Sequence, residues 1–400
     1  MQINLISDSS VSAAPPAFLT AIEEAAQFLD NLITNPITVN ILVGWGEADN
    51  GAYSIGDSLS LGAALGQTFA YSQVKSALLG SGTAADEFAA ANLPSTGESF
   101  FVGGAEAQAL GLLPANGSQI DGAIGFNSNE PWNYSNQPVS GEFDLVTDAE
   151  LELVHALGLQ LGSPMMLFRY SAPGVLETAV NSDGTTPAAY FSLDGGNTNL
   201  DGYLTAGDST LWNTATAGND ALANPYSPNV GYVFSITDAT ELNALGFGVN
   251  TTALENNGII YGTTAHETVY AFELPNNAVY SGSGSDTIVF SADRSDYTIT
   301  TNSDQSISVT NGASSYKLYG VSELQFSNQT LATAGIVASG DTSGITSAVI
   351  AEMTGANPST ATLTNLENNP DIIPAYVSFA AANGLNIGLV VAEDLGLAYC

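Results

Sequence analysis

Basic residues are almost missing from this chain. Four occur in 400 residues, Lys75, Arg169, Arg294 and Lys317, against 40 acidic ones, for a formal charge of −36. Nucleic acid and anionic lipid surfaces are thereby excluded as partners, because both are bound through lysine and arginine that neutralise phosphates. Cysteine occurs once, as Cys400, so no disulfide closes within the chain. No run of about 20 apolar residues is present to span a bilayer, which predicts no membrane insertion. The N-terminus has neither the basic stretch nor the apolar core of a cleavable signal peptide. Histidine occurs twice, at 155 and 266. Neither sits beside a recognisable nucleophile elbow, and no G-x-x-x-x-G-K nucleotide loop occurs.

What is present describes a globular chain. Hydrophobic residues make up 44% and charged residues only 11%, unlike a disordered acidic tail. Folding under so much like charge calls for salt screening or bound divalent cations. The glycine-rich stretch with Asp194, Asn197, Asn199, Asp201 and Asp208 offers hard oxygen ligands. Calcium is the ion such oxygens take, and the plainer reading is ordinary turns held by Asx hydrogen bonds.

A helix is well specified from Thr147 onward. Thr147 with Glu150 three residues later forms a T-x-x-E capping box, and Asp148 lies near the positive end of the helix dipole. Leu151, Leu153, Val154, Leu157 and Leu161 supply an apolar stripe, and Gly162 and Pro164 predict its end.

Within that helix, Glu150 to Gly158, E-L-E-L-V-H-A-L-G, resembles the zinc-protease motif H-E-x-x-H-A-L-G with Leu151 in place of the first histidine. In the motif, imidazoles at i and i+4 share a helix face and hold Zn²⁺ while the glutamate polarises water. The surroundings add to the resemblance. Ile3–Ser7, a helix over 16–32 and a strand over 37–44 are similar to the opening of a family of secreted bacterial zincin-type metalloproteases. M-L-F-R-Y-S-A-P-G from Met166, A-Y-F-S-L-D-G-G-N-T-N-L from Ala189 and T-D-A-T-E-L-N-A-L-G-F from Thr237 resemble later segments of that family.

The resemblance implies an α+β fold with a zincin-like domain over 1–250, and it also marks departures. Leu161 fills the third-ligand place that a metzincin carries after Gly158. In G-D-S-T-L-W from Gly207, Leu211 stands where relatives carry histidine in G-D-x-S-H-W. A catalytic zinc needs about three protein ligands plus an open position, so no zinc is expected and Glu152 and His155 are read as vestigial. The leucines at 151 and 161 would turn the former ligand face into a hydrophobic contact, each worth about 2 kcal/mol when fully packed. The plain alternatives are a helix histidine partly buried against an apolar neighbour for His155, and a solvated or hydrogen-bonded carboxylate for Glu152.

Further along, Ser281–Val289, S-G-S-G-S-D-T-I-V, fits the calcium nonapeptide G-G-x-G-x-D-x-U-x at Gly282, Gly284, Asp286 and Ile288. Alone it reads as a glycine-rich turn before a strand. The segments from Asp293 and Val321 resemble the β-rich module that follows such repeats in proteins exported by bacterial type I secretion. That resemblance implies an RTX-like module over 251–332, with Asp286 as a calcium candidate. It also implies an extracellular or cell-surface location without a cleavable N-terminal signal. Alternation at Tyr297, Ile299 and Ile307, Val309 predicts strands, and Asn311-Gly312 a hairpin turn. Residues 333–400 hold apolar stretches between prolines and a glycine and predict a helical C-terminal segment.

The function expected from these features is a non-catalytic extracellular structural protein on a degenerate metalloprotease scaffold. It would assemble with itself into a filament, sheath or surface layer, with calcium bridging carboxylates. The alternatives are a secreted protein that binds a peptide or glycan in the old cleft, and a zinc protease with unconventional ligands.

Overall fold

A computed structural model describes residues 1–333 except 90, 91, 94–96, 136–138, 224–226, 229–231, 256, 257, 283, 284 and 303–305. The predicted helical segment beyond Thr333, and Gly284 of the nonapeptide, lie outside the described residues. The fold is mixed α+β. Contacts group the chain into two compact units, residues 1–214, 221–230 and 238–253 in one, and 215–220, 231–237 and 254 onward in the other. Compared with the boundary at 250 read from the sequence, the first unit closes at 253 and two short segments before it belong to the second. No helix among the described residues is long and apolar enough to cross a membrane.

The first unit is built on strands β1 (Gln2–Ser7), β2 (Thr38–Trp45), β3 (Ser60–Ala64) and β4 (Gly122–Phe126), in the order β1-β2-β4-β3. β1, β2 and β4 run parallel and β3 is antiparallel to β4. Residues 39–44 of β2 are buried on both faces, as a covered parallel strand requires. Helix α1 (Phe18–Leu32) buries Phe18, Ala21, Ile22, Ala25, Ala26, Leu29 and Leu32, one apolar stripe at helical spacing. Phe18 meets Phe126 and Trp45 edge-on, with ring centroids 5.6 and 4.8 Å apart.

Helix α2 (Leu145–Leu157) carries Glu152 and His155. It begins before the predicted Thr147 cap, because Asp144 accepts bonds from the Val146 and Thr147 amides at 2.9 and 3.4 Å. An aspartate at the cap satisfies donors that the helix leaves open, so the T-x-x-E box is not used. It also ends early. Gly158 takes φ 144°, a conformation that L side chains avoid, and Leu161 therefore lies beyond the helix, half-buried, instead of on its apolar stripe. Leu151 is fully buried, worth about 2 kcal/mol.

α2 lies flush on the sheet because two strands present glycine to it. A Cβ on Gly62 of β3 would strike the Glu152 carbonyl oxygen, and would sit 2.7 Å from Glu152 Oε2 and 2.9 Å from His155 Cβ. One on Gly122 of β4 would lie 2.7 Å from the Ala156 carbonyl oxygen. Beyond α2, short antiparallel strands Arg169–Ala172, Val175–Leu176, Tyr190–Phe191 and Asp201–Gly202 form a second sheet. It delivers the chain to the turn at 207–211.

The second unit winds in three parallel coils. Strands Ile259–Tyr261, Val279–Ser281 and residues 317–319 of Ser314–Tyr319 stack in one sheet, and Thr268–Tyr270, Thr287–Val289 and Glu323–Phe326 in the other. Ile260, Tyr280 and Leu318 align along one wall of its core, and Val269, Ile288 and Leu324 along the opposite wall. The predicted strands at 299 and 307–309 pair antiparallel between the second and third coils. The predicted turn forms one residue later than expected, at Gly312 and Ala313, since Asn311 pairs with Ser314.

The flush contact gives a stability test. Gly62→Ala should cost about 3 kcal/mol in urea unfolding, because the obstacle is helix backbone that cannot rotate away. A loss under about 0.5 kcal/mol would show that α2 is free to lift off the sheet.

Candidate functional site

α2 faces a cavity of about 830 Å³ in the first unit, within the range of small-ligand sites. Its wall includes Asp57, Ser58, Ser60 and Gly62 from the β3 region, Glu130 and Phe143, Glu152 and His155 from α2, and Gly207, Asp208 and Leu211 from the turn. None of the four lysines and arginines lines it.

His155 is held at both ring nitrogens. Nδ1 lies 3.0 Å from Glu152 Oε2 one turn earlier, and Nε2 lies 3.1 Å from the Thr210 hydroxyl and 3.6 Å from Asp208 Oδ2. Glu152 accepts a further bond from the Ser60 hydroxyl at 2.5 Å. The turn that brings Asp208 and Thr210 is an Asx motif, in which the Thr210 amide and hydroxyl donate to Asp208 Oδ1 at 3.0 and 2.6 Å.

The electrostatics follow from this clasp. Burial disfavours an imidazolium, yet Asp208 and then Glu152 push the His155 pKa up to about 9. Burial alone would raise Asp208, but the His155 charge and the Thr210 bonds hold it below its usual range. Asp148, one turn before Glu152, is pushed well above the carboxylate range by burial and then by the Glu152 charge. Glu241 is raised to about 8 by burial, against the Tyr203 hydroxyl that donates to it at 2.6 Å. Near neutral pH His155 is therefore a cation. It donates two hydrogen bonds and has no lone pair to act as base or ligand.

The expectation of a histidine partly buried against an apolar neighbour is corrected. His155 is 6% exposed and its partners are polar. Glu152 is hydrogen-bonded and buried, 2% exposed. Of the leucines at expected ligand places, Leu211 lines the cavity beside His155, while Leu151 and Leu161 do not. Within reach of His155 the wall offers the Glu152 and Asp208 carboxylates, and Leu211 contributes no donor atom.

The calcium candidates are not gathered in one place. Asp194 accepts from Ser192, from the Thr198 amide and from the Thr198 hydroxyl within a turn. Asn199 is exposed, Asp201 Oδ1 accepts from the Gly202 amide, and Asp208 belongs to the His155 clasp. Among the described residues no group of three His, Cys, Asp or Glu side chains is placed to hold a metal. Asp286 differs from the others. It is 0% exposed in the second unit, its Oδ1 accepts from the Glu267 amide at 2.9 Å, and burial pushes its pKa up to about 7 against that amide and the nearby Tyr280 hydroxyl. A Cβ on Gly282 would strike Asp286 Oδ2. A buried carboxylate packed against a glycine is the donor type that calcium takes.

Sequence reasoning missed Ser60 and Thr210 as site residues, and read Asp148 only as a partner of the helix dipole. Thr210 had a local signal in the D-S-T turn, whereas Ser60 lies 92 positions from Glu152 and had none. It also missed Glu267, which the coil register places one coil before Asp286, each residue preceding a paired threonine.

With only His155 and His266 present, ring-nitrogen NMR reads the clasp directly. The His155 midpoint should lie near 9, and a value below 7 would refute the clasp. The sign for stability follows from linkage. A pKa raised above its unfolded value of 6.5 stabilises fully below 6.5 and is lost as pH rises through about 9. Glu241, raised from 4.5 to about 8, acts in the same direction, so melting temperature should fall between pH 6 and 9.5. No family model, curated protein or solved structure matches the chain.

Proposed function

We propose that this chain is a non-catalytic extracellular protein on a degenerate zincin-type scaffold, and that its cleft binds a peptide or glycan segment without cleaving it. The observation that carries the reading is His155, engaged at both ring nitrogens by Glu152, Thr210 and Asp208. A zinc protease needs that imidazole neutral with a free lone pair, and needs its glutamate aimed at water. Here each is the other's partner. The cavity supports binding through its size, its hydroxyl and carboxylate acceptors and the Phe143 ring.

The test pairs metal analysis with a cleavage assay and a binding screen. Less than about 0.1 equivalent of zinc and no casein or peptide cleavage are expected, with Glu152→Ala leaving that blank unchanged. Peptide and glycan arrays should yield a ligand whose binding is abolished by Leu211→Trp, which fills the cavity. Stoichiometric zinc with activity lost on Glu152→Ala would overturn the proposal.

Self-assembly into a filament, sheath or surface layer is the second reading. It is favoured by residues 333–400, where apolar stretches occur without a lysine or arginine. Size-exclusion and negative-stain microscopy separate a polymer from a monomer. Calcium, in this proposal, would be held at Asp286 and would neutralise carboxylate repulsion in the second unit. Chelation should lower the melting temperature of wild-type protein and leave Asp286→Asn unchanged. Equal shifts in both would remove Asp286 as the site.

A further inference from the structure

Arg169 is the only one of the four basic residues that is fully buried, and burial disfavours its charged form against the Glu177 and Glu241 charges that favour it. Its guanidinium spans several segments. Nη1 donates to the Ser209 carbonyl at 2.7 Å, and Nη2 to the Thr186 hydroxyl at 2.6 Å and the Pro187 carbonyl at 3.4 Å. The guanidinium carbon lies 4.6 Å from the Tyr203 ring centre, in cation–π contact. The Ser209 carbonyl belongs to the same peptide unit as the Thr210 amide, and that amide donates to Asp208 Oδ1 at 3.0 Å. Asp208 and Thr210 in turn meet His155 Nε2.

We infer that Arg169 is the positioning residue of the cleft, which fixes the Asp208 carboxylate and the Thr210 hydroxyl on His155 through the Ser209–Thr210 peptide. Two effects act together. The planar fork pins the turn at 207–211 to the buried sheet through the carbonyl of its buried residue Ser209. A cation on the carbonyl side also polarises the peptide and strengthens its N–H donor toward Asp208, because hydrogen bonds in series reinforce one another. Burying a guanidinium is costly, and a carbonyl aimed at it from the clasp turn gives that burial a purpose beyond packing.

The inference deepens the non-catalytic reading and rests on it, so spectra are recorded after chelation. A metal on His155 in untreated protein would sink that reading alone. The probe is the His155 Nε2–H signal in histidine-labelled protein, compared with its Nδ1 signal, which reports Glu152. In Arg169→Met the Nε2 proton should exchange with water about ten-fold faster or more, the equivalent of one charge-assisted hydrogen bond, while Nδ1 is unaffected. Arg169→Lys should restore part of the protection by reaching the Ser209 carbonyl. Should Arg169→Met fail to fold, Thr186→Val keeps the guanidinium but removes the nearer of its two Nη2 acceptors, and faster Nε2 exchange is again expected. Unchanged Nε2 exchange in a folded Arg169→Met or in Thr186→Val, or equal loss of both ring signals, overturns the inference.

Discussion

The contact of α2 with glycine-bearing strands is the constraint on which the first unit depends. Helix backbone approaches strand backbone at Gly62 and Gly122 with no room for a methyl group. Such an approach places Ser60, two residues before Gly62, within reach of Glu152, and turns His155 toward the cavity. It also buries Asp148 and Glu152 where water cannot solvate them. The charge pattern is thus a consequence of packing. Carboxylates forced close together in a low-dielectric interior need a proton or a cation, and His155 supplies one.

The protonated imidazole joins two elements, the helix and the turn at 207–211. The joining charge differs in kind from a metal ion. A metal cross-links by coordination and remains electrophilic. An imidazolium cross-links by hydrogen bonds and is chemically quiet near neutral pH. Arg169 serves the same turn from its other side. In a chain of formal charge −36 with four basic residues, one of those four is spent on a buried carbonyl of the clasp.

The second unit solves a similar problem by repetition. Each coil is too small to bury its own apolar face, and stacking aligns Ile260 with Tyr280 and Leu318, and Val269 with Ile288 and Leu324. The same stacking sets Glu267 and Asp286 one above the other, with the Tyr280 hydroxyl donating to Glu267 at 2.7 Å. Its repeat was legible as I-I-Y-G, V-Y-S-G and K-L-Y-G at 259, 279 and 317. A hairpin inserted between the second and third coils breaks the spacing, which is why one nonapeptide stood out and the period did not.

The sequence by itself determined the local elements. The helix over 16–32 and the strand over 37–44, expected from resemblance, form as α1 and β2. The glutamate and histidine were put one turn apart on a helix, and the lack of lysine and arginine gave the expectation of no nucleic-acid partner. The last two follow from spacing and composition, which act over a few residues or over the whole chain at once. Only the tertiary structure decided the helix ends, where Asp144 outcompeted Thr147 and Gly158 stopped the chain before Leu161. It alone decided that His155 is a clasped cation, because Ser60 and Asp208 reach the cluster from segments far apart in sequence. Charge state depends on distance and burial in space, and neither can be read from order along a chain.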